Sequence, residues 1–263
     1  MKYANDIPFV TLTDEEKKLP EAKYYTTNMA PIPYKVMESY NSGPVDPIHS
    51  LAYENINKML KPGYLAVENG YCITDDYIGF VACLTDFPDT KPEMFDWWFW
   101  WHQVRDIRYK IWDPKDHGGV SIKFPEKLID KTLTAQQKYL NNISYAYERL
   151  HGEFITVEID FVEPEKFGFD NSKLKKADVG PVICAKVGIS GMPIKPVAML
   201  HFIRKTSCGC EMRSRFWLGQ FVEKNIRKEF FGLETAKGTM LHCAEEYCHL
   251  ASFLPQIYNE WNS

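Results

Sequence analysis

From residue 155 to 161 apolar and polar side chains strictly alternate. Ile155, Val157, Ile159 and Phe161 take one parity, and Thr156, Glu158 and Asp160 the other. A period of two sends each parity to one face, so the run predicts a half-buried strand. Similar strand-like runs are "YLAVENGYCITDD" (64–76), "YIGFVACLTDF" (77–87), "ISYAYERL" (143–150) and "VGPVICAKVGIS" (179–190). Residues 196–222, "PVAMLHFIRKTSCGCEMRSRFWLGQFV", read as a hairpin turning near Cys208-Gly209. In "ISYAYERL", Glu148 shares a face with Ser144 and Ala146, while Tyr145 and Tyr147 take the other. A strand carboxylate of this kind ordinarily faces solvent.

Helical signals are fewer. "PIHSLAYENINKML" (47–60) predicts a short helix stopped by Pro62-Gly63. Thr90, Pro92 and Glu93 mark the start of a helix running into "MFDWWFWWH" (94–102), after which the chain is expected to turn at Asp113-Pro114 and again at Gly118-Gly119. Residues 234–254 predict a helix roughly 30 Å long that ends before Pro255. Residues 1–50 hold six prolines and little periodicity, and read as an extended arm packed on the body or on a partner subunit. The expected fold is α+β: a curved antiparallel sheet gripping one long C-terminal helix, with a cavity between them. The arm and short helix occupy 1–60, and the gripped body 61–263.

Composition narrows the function. A net charge of −4 gives no footprint for nucleic acid. The longest apolar stretch, 94–102, is too short to span a bilayer, and the N-terminus lacks the apolar run of a signal peptide. An odd count of seven cysteines without that signal reads as reduced thiols in a cytoplasmic protein. An aromatic content of 14% suits a deep apolar cavity or a large interface.

Chemistry concentrates in a few places. His242 and Glu246 are four apart on the last helix, a spacing that lets two ligands reach one metal. Glu245 and His249 form a competing pair at the same spacing. His102 and His117 flank the segment "WHQVRDIRYKIWDPKDH", and His201 lies on the face of Val197, Met199 and Ile203. His201 is either a satisfied core histidine or an acid–base group lining a cavity. No nucleophile elbow, P-loop or H-E-x-x-H is present. "CGC" (208–210) has no second pair at zinc-finger spacing and reads as a tight turn.

Four stretches together, "LKPGYLAVENGYC" (60–72), "FDWWFWWHQVRDIRYKIWDPKDH" (95–117), "IDFVEP" (159–164) and "GTMLHCAEEYCHL" (238–250), resemble the phloretin hydrolase and diacetylphloroglucinol hydrolase family from about residue 45 onward. The resemblance implies a helix-grip body like that of START and birch-pollen-allergen proteins. It implies hydrolysis of the carbon–carbon bond between a phloroglucinol ring and an acyl group, with phloretin cleaved to phloretate and phloroglucinol. It also implies an N-terminal segment that forms a homodimer, and Zn²⁺ held by two His and two Glu. Carried onto this chain, the ligands are His242 and Glu246 with His117 and Glu148, 31 residues apart, and His102 as the rival of His117. Glu148, His201 and Tyr109 are the expected catalytic groups, and Tyr34, Tyr145 and Trp98 the expected substrate contacts. The rival classes are a non-enzymatic carrier of aromatic ligands and a metal-dependent aryl esterase.

Overall fold

The computed structural model describes residues 8–150, 152–177 and 179–262; the first seven residues of the expected arm lie outside them. Eight strands form one antiparallel sheet: β1 (Gly70–Ile73), β2 (Gly79–Pro88), β3 (His117–Ile122), β4 (Ile143–Leu150), β5 (Glu153–Val162), β6 (Val182–Ile189), β7 (Val197–Thr206) and β8 (Gly209–Leu218). Their spatial order is β1-β2-β8-β7-β6-β5-β4-β3. The long helix Leu233–Ala251 packs across β1 and β2, which makes the protein an α+β helix-grip fold.

Period-two patterning builds two cores on one sheet. One parity of the central strands, including Val81, Cys83, Ile183, Met199, Met212 and Phe216, faces the long helix and the Trp-rich helix Pro92–Trp101. The other parity, including Phe80, Ala82, Val182, Leu200 and Trp217, is covered by Leu51, Ile56, Met59, Phe167 and Phe169. Covering both faces buries β8 along nearly its whole length and β2 along most of it, polar residues included. On the second face Arg213 and Arg215 are also buried, each paired with Glu68 at 2.5 and 2.6 Å.

Several expectations need correction. The segment 47–60 is two 3-10 turns, Pro47–His49 and Tyr53–Leu60. The long helix ends at Ala251, before Pro255 as expected, but a further helix, Leu254–Trp261, follows and holds Pro255 in its first turn, where the missing N–H is no loss. The "CGC" stretch needs no correction: it lies at the β7–β8 turn as expected, and a side chain at Gly209 would collide with the Phe87 carbonyl.

The arm packs on its own chain. Glu21 is fully buried against Arg108 Nε at 2.8 Å, Tyr24 donates to Glu260 at 2.8 Å, and the Val10 N–H donates to the Pro114 carbonyl at 2.8 Å.

Candidate metal centre

Strand β3 begins at His117, and its pairing with β4 shifts between His117 and Gly119. This is a β-bulge, with Gly118 as the extra residue. A Cβ at Gly118 would lie 2.6 Å from Tyr147 Cδ1, so glycine leaves room for the neighbouring ring. His117 is thus the first residue of a strand rather than part of a polar turn, and it pairs directly with Glu148. Glu148 shares its face with Ser144 and Ala146, as its parity predicts, but all three are buried. The solvent-facing expectation fails because Gln103 and Tyr109 close over Ser144 and Glu148, and the long helix brings His242 against Glu148.

His242 and Glu246 lie one turn apart on that helix, and Glu246 is buried. Glu246 Oε2 sits 3.6 Å from His117 Nε2, and Glu148 Oε2 sits 4.0 Å from His242 Nε2. The two imidazoles lie with ring centroids 5.7 Å apart. His117 Nδ1 contacts the Tyr109 carbonyl at 3.2 Å, which makes it the protonated nitrogen and leaves Nε2 as a lone-pair donor. That Nε2 is buried without a hydrogen-bond partner.

Two residues that sequence reasoning passed over complete the cluster. Asp113 Oδ2 and Asp116 Oδ2 approach His242 Nδ1 at 3.8 and 3.5 Å. Asp113, His117 and His242 each offer a ligand atom within 4.8 Å of the others, a candidate metal site in its own right. The sequence carries a signal for the two aspartates in "WDPKDH", where two carboxylates precede His117, but Asp-Pro is also ordinary turn chemistry. Trp112, also overlooked, donates its indole N–H to the Glu246 carbonyl at 3.1 Å and packs edge-on to His117.

The electrostatics suit a cation. Burial raises the Glu148 and Glu246 carboxyls, and raises Asp113 to about 6. Burial opposes charge on His242 as well, but Asp116, Glu246, Glu148 and Asp113 outweigh it and hold its pKa well above the ordinary value. Burial pushes His117 well below the ordinary value, with His242 adding to the effect. Four carboxylates therefore surround two imidazoles of which one is held neutral. The nearby cations are largely engaged elsewhere: Lys115 pairs with Glu245 at 2.8 Å, and Arg149 reaches Asp116 only at 3.9 Å. A divalent ion held among neutral imidazoles and carboxylates would offset the cost of burying those carboxyls in their charged form.

Tyr109 stacks on His117 with centroids 3.9 Å apart and donates its hydroxyl to Glu148. Burial and Glu148 hold that phenol well above its ordinary pKa, so it stays a donor. The other expected residues fall elsewhere. His201 has both ring nitrogens occupied, by Ser214 Oγ at 2.8 Å and the Tyr247 hydroxyl at 2.9 Å, and is a satisfied core histidine that burial pushes down to about 3. His102 is bound through Nδ1 to the Trp98 carbonyl at 2.7 Å and stacks behind Tyr109. Trp98 is a fully buried core residue standing behind Trp112 and His102, one ring removed from His117. Tyr34 is 80% exposed, and Tyr145 sits on the face of β4 opposite Glu148; neither lines the buried cluster. The competing pair separates, since Glu245 binds Lys115 while His249 Nδ1 accepts from the Ala30 N–H at 3.2 Å.

A helix-grip sheet with two histidines and four carboxylates, all but His242 buried, brought together against the long helix defines a class, that of helix-grip proteins with an internal cluster of candidate metal ligands. The family described as "DAPG hydrolase PhiG domain" matches residues 51–259. The chain belongs to this DAPG hydrolase family, and with it to the hydrolases. It is 31% identical to a phloretin hydrolase of Eubacterium ramulus, over 95% of this chain and 93% of that protein. It is 29% identical to a 2,4-diacetylphloroglucinol hydrolase of a Pseudomonas species, over 93% of this chain and 89% of that protein. Among solved structures, Ara h 8.0201 overlays with a TM-score of 0.32 at 9% identity, covering 63% of this chain and 99% of that one.

Proposed function

We propose that the protein is a zinc-dependent hydrolase that cleaves the carbon–carbon bond between a phloroglucinol ring and its acyl group, with phloretin as substrate. The observation that supports it most is the convergence of His117, Glu148, His242 and Glu246 in one buried cluster with the His117 Nε2 lone pair unclaimed. A carrier of aromatic ligands has no use for such a cluster, whose burial is costly without a cation. The donor set fits zinc, with His117 and His242 offering imidazole nitrogen and Glu148 and Glu246 offering carboxylate oxygen. When bound, zinc supplies Lewis acidity toward the acyl carbonyl and toward water.

The remaining chemistry falls to the chain. The reaction is a retro-Claisen hydrolysis in which protonation of the acyl-bearing ring carbon turns the ring into one half of a 1,3-diketone. The hydroxyl of water is added to the side-chain carbonyl carbon. The ring–acyl bond then breaks, its electron pair returns to the ring, and the ring re-aromatises as phloroglucinol while the acyl group leaves as a carboxylic acid. The Tyr109 hydroxyl and Glu148 carboxylate form a ready-made proton relay beside His117, suited to general acid–base work. Trp112 and Tyr109 wall His117 on two sides and exclude water. The proposal extends to a cytoplasmic homodimer built through residues 1–60, supported by the exposure of Tyr34 and Ile48 in that segment.

Purified protein incubated with phloretin, diacetylphloroglucinol and a simple aryl ester tests the reading by product analysis. Release of phloroglucinol and phloretate, with the ester left intact, is expected. Ester cleavage with phloretin untouched would make the protein a metal-dependent aryl esterase. Binding without any cleavage would make it a carrier.

A further inference from the structure

The imidazole of His242 has two environments. Its Nε2 faces Glu148, whereas its Nδ1 faces the loop between the short helix Asp106–Lys110 and β3. Two buried polar atoms with no hydrogen-bond partner meet there, His242 Nδ1 and Asp113 Oδ2, 3.8 Å apart. Asp116 Oδ2 lies 3.5 Å from the same nitrogen. Asp113 is fully buried, and its other oxygen is spent within the loop, accepting from the Lys115 N–H at 2.9 Å and the Asp116 N–H at 3.2 Å. An isolated buried carboxylate oxygen is costly, and so is an isolated buried imidazole N–H. Each is the natural partner of the other.

The loop is held as a strap across the helix. Lys115 Nζ bridges both carboxylate oxygens of Glu245 at 2.8 Å, one turn from His242. Arg149 donates to the Lys115 carbonyl at 3.1 Å, and Val10 N–H donates to the Pro114 carbonyl at 2.8 Å. Three anchors from three parts of the chain fix the position of the two aspartates.

Resting on the zinc reading above, we propose that Asp113 and Asp116 are positioning residues that hold His242 through Nδ1–H, fixing the tautomer that presents Nε2 to the metal. Outer carboxylates of this kind orient a ligating imidazole and raise its basicity, and losing one typically costs 10–100-fold in metal affinity. Lys115 and Glu245 clamp the strap that carries them. Asp113 is then not itself a ligand, although its geometry alone places it close enough to compete for that role.

The test uses Co²⁺ as the probe on the full-length chain, with affinity measured by chelator competition and the ligand field by visible absorption. The variants are Asp113→Asn, Asp116→Asn and the double substitution. Asparagine at 113 keeps an oxygen for the two loop amides but turns an NH2 group toward Nδ1, so the loop survives while the acceptor is lost. The expected result is a roughly tenfold weaker Co²⁺ affinity in each single variant and up to about a hundredfold in the double, with the wild-type absorption bands and thermal midpoint retained. Unchanged affinity would overturn the proposal. Altered bands in Asp113→Asn would overturn it differently, by making Asp113 a direct ligand. A wild-type chain that binds no Co²⁺ would instead remove the metal reading on which the proposal rests.

Discussion

The rings of Tyr109 and His117 lie parallel, with planes 2° apart and centroids 3.9 Å apart, while the Tyr109 hydroxyl donates to Glu148 on the neighbouring strand. One side chain thus braces an imidazole with its face and a carboxylate with its edge. Tyr109→Phe retains the stack and deletes only the proton donor. We expect kcat for phloretin to fall about 100-fold or more while metal content stays at the wild-type level, since a positioned acid–base group contributes roughly 10²–10⁴-fold. Steady-state kinetics paired with elemental analysis on the same sample checks this; parallel loss of metal and rate would assign Tyr109 to the stability of the site.

The carboxylate cluster makes an opposite prediction for the loaded and stripped protein. Glu246→Gln replaces a carboxyl whose charged form is disfavoured by burial and, more weakly, by Glu148 and Asp113. In chelator-treated protein the substitution removes the cost of burying and neutralising that crowded carboxyl, so the thermal midpoint should rise by a few degrees, about 2–4 °C for each kcal/mol in a chain of this size. In metal-loaded protein the midpoint should fall. Differential scanning fluorimetry with and without chelator reads both signs, and a fall in both conditions would contradict the crowding argument.

A second buried charge group is structural. Glu68 binds Arg213 and Arg215, and the two guanidiniums outweigh burial to hold its carboxyl below the ordinary range. Glu68→Ala leaves two arginines buried without their counter-charge. The expected cost is about 3–5 kcal/mol, read as a lower urea midpoint, with the metal site untouched in whatever fraction stays folded. A cost under about 1 kcal/mol would show that water reaches these arginines.

Stability should also fall with acid. Burial pushes His102 and His201 down to about 3 from the ordinary 6.5, so both stay neutral in the fold. Below pH 6.5 the unfolded chain takes up protons that the folded chain refuses. Their contribution is therefore full above 6.5 and is lost as pH falls from 6.5 toward 3, by up to about 1.4 kcal/mol per pH unit for each histidine. Urea unfolding at pH 7, 6 and 5 measures the slope, and His102→Gln should lower it by about one proton's worth. An unchanged slope would mean that His102 is protonated in the fold.

Much of the architecture was legible because period-two patterning is a local property. The alternation in 155–161 marked β5, and the turn signal at Cys208-Gly209 between two strand-like runs marked the β7–β8 hairpin. Parity likewise grouped Glu148 with Ser144 and Ala146. It could not say that their face would be covered, because the cover comes from distant parts of the chain, Gln103 and Tyr109 before the strand and His242 far after it. Asp113 and Asp116 were missed for a related reason. Asp-Pro is ordinary turn chemistry, and only the approach of His242 across the fold gives those carboxylates a partner. The bulge at Gly118 belongs to the same class, visible only once the Tyr147 ring is in place beside it.

The most direct test of the central claim is metal content by elemental mass spectrometry on wild type and on His242→Ala, with phloretin turnover followed in the same samples. About one zinc per chain in the wild type, with metal and turnover lost together in the variant, is the predicted result. Wild-type protein that is free of metal yet cleaves phloretin, or a variant that keeps both its zinc and its rate, would contradict it.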